Sequence, residues 1–91
     1  MAERAAWDFF DNQSKDGHRI ELTTICPGFI VGPTMVKTNF SSGNIAKMFL
    51  ENKFPGGIPQ ISFTTVDVRD VARAHVNCLE IDEAQGKRFI L

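Results

Sequence analysis

An α/β fold is what this chain of 91 residues predicts, and three observations carry the prediction. Ile20 to Cys26 is β-branched and apolar with only Glu21 charged, the composition of a strand covered on both faces. Segments of helical spacing and strand-like runs alternate along the chain, giving the order α–β–α–β–α–β. The first strand stops at Pro27-Gly28, where proline removes an N–H and glycine permits close approach to the backbone. In an open α/β sheet, the carboxyl end of such a strand is where a ligand is expected.

The elements follow in order. Ala2, Ala5, Ala6, Phe9 and Phe10 repeat at i, i+3, i+4, i+7 and i+8, which predicts an amphipathic helix with a wide apolar stripe. Residues 12–19 are polar around Gly17 and read as a loop that stops it. After the strand and a second turn signal at Gly32-Pro33, Ser41 or Ser42 is placed to cap a short helix from about Gly43 to Asn52. Phe54-Pro55-Gly56-Gly57-Ile58-Pro59 cannot continue a helix and reads as a loop. A strand is expected over Gln60–Val66. A helix then starts with Asp67 as N-cap and Asp70 three residues on, two carboxylates at its positive end. Val68, Val71, Ala72, His75 and Leu79 form its buried stripe, Gly86 ends the next loop, and Arg88–Leu91 reads as a last short strand.

Composition narrows the functional classes. Ninety-one residues make one domain at most, and a net charge of −1 with scattered Lys and Arg leaves no polyanion-binding footprint. Cys26 and Cys78 lie far apart without histidines at ligand spacing, so no metal site is expected and both read as small buried hydrophobes of a reducing compartment. The amino-terminal segment has no apolar core of the secretory kind, and no run reaches the roughly 20 apolar residues of a membrane span. A cytoplasmic protein with no nucleic-acid or membrane partner is the expectation. His75 reads as a histidine of the core or its boundary, and His18 as a surface residue.

The run Thr24-Ile25-Cys26-Pro27-Gly28-Phe29-Ile30-Val31-Gly32-Pro33, followed by Phe63-Thr64-Thr65-Val66-Asp67-Val68-Arg69-Asp70-Val71-Ala72-Arg73-Ala74-His75, resembles the C-terminal portion of an extended short-chain dehydrogenase/reductase. The likeness is to the dihydroflavonol-reductase-like and cinnamoyl-CoA-reductase-like branch of the NAD-dependent epimerase/dehydratase superfamily, and it covers nearly the whole chain. It implies a partial Rossmann-type fold: parallel strands with helices plus substrate-side loops, not a complete doubly wound sheet. Residues 1–91 then form a single incomplete domain. The resemblance implies that Pro27 and Gly28 lie against the nicotinamide of NADP or NAD, with Phe29 beside them. It also implies that Ser42 hydrogen-bonds the pyrophosphate, although a plain N-cap explains Ser42 as well. Met35, Phe40, Phe54, Phe63 and Thr64 flank loops that close over a small carbonyl or alcohol substrate in similar enzymes; packing of those loops on themselves accounts for the same residues.

No residue is assigned a catalytic role. The chain has no tyrosine, so the acid of the family's Tyr-x-x-x-Lys pair is not in it, and no glycine-rich dinucleotide fingerprint is present. The reading is therefore part of an NAD(P)-dependent reductase, inactive alone. Two alternatives stand beside it: a non-catalytic binding or interaction module, and a portion of a nucleotide-sugar epimerase. The epimerase is disfavoured because residues 34–44 carry only Lys37 to hold a nucleotide diphosphate. A strand this apolar with few neighbours leaves an open edge, and self-association through that edge is expected.

Overall fold

The computed structural model describes residues 2–13, 17, 19–35 and 41–91; His18, Lys37 and Phe40 lie outside them. It is α/β, in the order α1 (Ala2–Asp11), β1 (Thr24–Cys26), β2 (Phe29–Val31), α2 (Ser41–Leu50), β3 (Thr65–Asp67), α3 (Val68–Glu80), a 3-10 turn (Asp82–Ala84) and β4 (Arg88–Ile90). Both strand pairings are parallel: β1 with β4, and β2 with β3. This is an incomplete sheet of the partial Rossmann kind.

Local chemistry sets each boundary. Helix α1 ends through side chains rather than at Gly17. The Asn12 amide donates to the Asp8 carbonyl at 2.6 Å. The Gln13 amide bonds Phe10 on the helix, and both donates to and accepts from the Ile20 backbone. Strand β1 is shorter than the predicted Ile20–Cys26, because the preceding residues meet the 3-10 turn through single bonds instead of a ladder. There the Thr23 hydroxyl donates to the Ala84 carbonyl at 2.8 Å, and the Leu22 carbonyl accepts from the Gly86 N–H.

Strand β3 is shorter than Gln60–Val66 for a related reason. Its partner β2 lies between the bend at Gly28 and Pro33, and Ile61 folds back on the Pro59 carbonyl, so pairing begins only near Thr65. Helix α2 starts and stops two residues earlier than predicted. Asn52 takes a left-handed φ of 52°, Asn52 N–H bonds Phe49 and Lys53 N–H bonds Met48, which closes the helix with a Schellman motif. Phe54 then packs on Phe49 with ring centroids 4.6 Å apart.

The core is small. Among the described residues only Val71 (8% exposed) and Ala84 (5%) are buried, beneath the first turn of α3 and at the 3-10 turn. Strand β1 is half-buried rather than covered on both faces, and the free cysteines Cys26 and Cys78 are likewise half-buried. The stripe predicted for α3 is uncovered past Val71: His75 is exposed and Leu79 is 89% exposed. The molecule presents 7865 Å² of surface, whereas a compact chain of 10.2 kDa presents about 5300 Å². The described strands and helices therefore leave much of their apolar surface uncovered.

Candidate functional site

The backbone bends at Gly28, where the chain leaves one strand pair and enters the other. Gly28 N–H donates to the Leu91 carbonyl at 2.9 Å, and Leu91 N–H donates to the Cys26 carbonyl at 3.1 Å, so one residue brackets Pro27 from both sides. One residue on, Phe29 N–H donates to the Thr64 carbonyl at 2.7 Å. The Phe29 and Phe63 rings lie 5.6 Å apart, tilted by 35°. Pro27, Gly28 and Phe29, read for the cofactor, are thereby brought together with Phe63 and Thr64, read for the substrate.

The structure gives Gly28 a reason that the sequence reading did not. A Cβ there would stand 2.5 Å from the Thr64 carbonyl oxygen and overlap its hydroxyl oxygen. The room that glycine leaves is filled by Thr64. Gly32 was read only as a turn signal, yet it is equally constrained: its φ is +135°, and a Cβ would meet Val68 Cγ1 at 2.8 Å. The first turn of α3 is thereby pressed against the end of β2.

Beyond β2 opens a cleft of about 620 Å³, with Ile30 to Met35 on one side, Ser42 on a second, and Val68, Arg69 and Ala72 on a third. Ser42 and Met35, predicted for different roles, face this one cleft. Ser42 is the second residue of α2 rather than its cap, and so lies in the turn whose backbone N–H groups have no partner within the helix. The walls are mostly apolar, as in small-molecule clefts.

Arg69, between the two acids at the start of α3, turns back on the cap. Asp67 caps α3, accepting from Arg69 N–H at 2.8 Å, and Arg69 returns its guanidinium to both carboxylate oxygens at 2.9 and 2.7 Å. Those bonds hold the Asp67 carboxyl at about 2, below its ordinary 3.8. The guanidinium is thereby held at the edge of the cleft. The signal available in the sequence was an acid two residues before an arginine at a helix start. His75 Nδ1 faces the Val71 carbonyl at 2.8 Å, within its own helix. No cluster of His, Cys, Asp or Glu among the described residues suits a metal ion, and no described helix is long and apolar enough to cross a membrane.

No family model matches the chain. Curated relatives do. A ketoreductase of Aspergillus niger is 43% identical over 96 aligned positions, covering 98% of this chain and 28% of that protein. An NADPH-dependent methylglyoxal reductase of Saccharomyces cerevisiae is 32% identical, covering the whole chain and 28% of its own length. Cinnamoyl-CoA reductase 1 of Oryza sativa subsp. japonica is 39% identical over 69 positions, covering 75% of the chain and 20% of that protein. The chain thus spans little more than a quarter of the length of the first two.

Proposed function

This chain is a homologue of the extended short-chain dehydrogenase/reductases, and on that premise we propose that it forms the nicotinamide-side and substrate-side walls of an NADPH-dependent carbonyl reductase. One observation carries the reading. The cleft opens at the carboxyl end of parallel strand β2, with the first turn of α2 and its Ser42 at the rim. A serine in a turn whose N–H groups have no partner within the helix suits a pyrophosphate. Pro27 gives a flat apolar wall just before the cleft, and the bonds to Leu91 and Thr64 on either side of it keep that wall from shifting.

The fit is unequal along the site. Ser42 and Pro27 offer surface to a dinucleotide, and Phe29 lines the same wall. Gly28 contributes through its backbone position, since Thr64 takes the space beside it. NADPH, when bound, supplies the hydride. This chain's share is to orient the ring against Pro27, anchor the diphosphate at Ser42, and wall the substrate with Met35, Phe63 and Thr64. A mostly apolar lining suits a hydrophobic carbonyl compound. With no tyrosine in the chain, the proton donor lies outside it, and the chain alone turns nothing over. Two free cysteines fit a cytoplasmic setting.

The test is a two-dimensional amide spectrum recorded with and without NADPH. Shifts confined to Gly28, Phe29 and Ser42, weakened in Ser42→Ala, are expected. Shifts elsewhere, or none, would overturn the assignment of the wall. Reductase turnover by the purified chain would overturn its inactivity.

A further inference from the structure

Arg69 is the one charged side chain among the described residues that line the cleft beyond β2, and it does not stand there as a free cation. Asp67 accepts from its Nε at 2.9 Å and from its Nη2 at 2.7 Å, the two-point pairing that a planar guanidinium makes with a carboxylate. The carboxylate is itself fixed in place. Asp67 ends β3 in register with Val31, accepts from Arg69 N–H at 2.8 Å, and sets Oδ1 3.3 Å from the Cβ position of Gly32. Held at about 2 by these bonds, the Asp67 carboxyl stays ionised at neutral pH, so the pairing persists. Asp70, the next residue of α3, draws on the same guanidinium.

Capping does not account for this arrangement. A cap needs one oxygen, and asparagine serves there as well as aspartate. The second oxygen of Asp67 goes to Nη2 of Arg69 and does nothing for the helix start. Its effect falls on the cleft. An anionic group laid against this wall would meet an arginine whose charge is already answered, with a carboxylate beside it. A neutral oxygen meets no such repulsion: Asp67 takes only part of the fork, and a guanidinium has further N–H groups to donate. Around Arg69 the wall is apolar, with Val68 and Ala72 on α3 and Ile30 on β2. Ser42, proposed above for the diphosphate, lies on a different side of the cleft, so an anion anchored there does not depend on Arg69.

Resting on the reductase reading above, we propose that the α3 side of the cleft takes a carbonyl compound without a charged group, and that Asp67 enforces this by masking Arg69 against carboxylates and phosphates. Asp67 is then a specificity-determining residue that acts through its neighbour, and the substrate is an uncharged ketone or aldehyde.

The test titrates the chain with acetophenone and with 4-acetylbenzoate, the same aryl ketone without and with a carboxylate, and reads amide shifts at Ile30, Val68 and Ala72. Acetophenone should bind about 10-fold more tightly. Asp67→Asn keeps the cap and frees the guanidinium, so 4-acetylbenzoate should gain about 10-fold, the worth of one charge-assisted bond over a neutral one, while acetophenone is unchanged. That gain should vanish in the Asp67→Asn/Arg69→Gln double variant. Arg69→Gln alone, which leaves the Asp67 carboxylate unpaired and the cap in place, should weaken 4-acetylbenzoate further. Equal affinities in the unaltered chain, an unchanged ratio in Asp67→Asn, or no shift at the cleft with either ketone would overturn the proposal. Masking observed without NADPH-dependent shifts at Gly28 and Phe29 would keep this specificity and refute the cofactor wall. NADPH-dependent shifts without masking would refute the specificity alone.

Discussion

Placing a methyl group on Gly28 tests whether this glycine serves the protein or a ligand. In Gly28→Ala the new Cβ meets two atoms of Thr64. The hydroxyl oxygen can rotate away. The carbonyl oxygen, 2.5 Å from the Cβ position, cannot, because it accepts the Phe29 N–H that opens the β2–β3 pairing. Relief therefore requires β3 to back away and that bond to break. Overpacking costs about 1–3 kcal/mol, and the lost bond costs about 1 kcal/mol more. A loss of about 2–4 kcal/mol lowers the melting midpoint of a domain this size by on the order of 10–25 °C. The assay is thermal unfolding followed by circular dichroism, with amide exchange at Phe29 as the local readout. Adding Thr64→Ala removes the hydroxyl conflict but leaves the carbonyl, so the double variant should recover only part of the loss. Gly56→Ala is the control, since nothing lies within 4 Å of its Cβ position, and it should be neutral or gain up to about 1 kcal/mol. A Gly28→Ala protein that keeps its midpoint and its Phe29 protection would refute this reasoning. If it also lost NADPH-dependent shifts, the glycine would belong to the ligand.

Three further outcomes are expected. Gly32→Ala should destabilise the junction of β2 and α3, and Val68→Ala should not rescue it, because the strained φ of +135° remains after the side-chain conflict is removed; thermal unfolding of the double variant decides this. The Asp67 carboxyl titrates at about 2 in the fold against an ordinary 3.8. The unfolded chain thus binds that proton more tightly, and the cap's contribution is complete above roughly pH 5 and lost as pH falls toward 2. Helicity followed by circular dichroism should decline over that window, and Asp67→Asn should flatten the decline. Glu3→Ala should loosen α1, seen as faster exchange of its amides, while Thr24 and Cys26 remain protected by β4.

Sequence legibility was uneven, for physical reasons. Asp67 was readable as a cap because the acid, the β-branched run before it and the apolar spacing after it all point to one boundary. The strands Ile20–Cys26 and Gln60–Val66 were placed but overlong. Composition reports the tendency to extend, whereas ladder length is set by the partner, here cut short by Gly28, Pro33 and the 3-10 turn. Strand β2 lies between the turn signals Pro27-Gly28 and Gly32-Pro33, where no element was expected. The stripe of α3 through His75 and Leu79 was expected to be buried and is exposed past Val71, because what covers a helix face is not written in its own spacing. In the site, Ser42 and Met35 were named for different roles, and their meeting in one cleft was not foreseen. The closeness of Thr64 to Gly28 joins residues far apart in the chain, and no local pattern announces it.

The wall around Pro27 also has a history within each folding event. Thr24 pairs with Arg88 and Phe29 with Thr65, so both ladders close long loops, and neither forms until distant segments have met. Helices α2 and α3, capped by their own residues, need no such encounter. Loop-closure entropy slows such non-local pairing relative to helix formation. The bend at Pro27 is therefore expected to assemble after the helices. During synthesis Leu91 cannot bracket Pro27 until residues 88–91 have emerged, so a nascent chain has its helices before that bend is fixed.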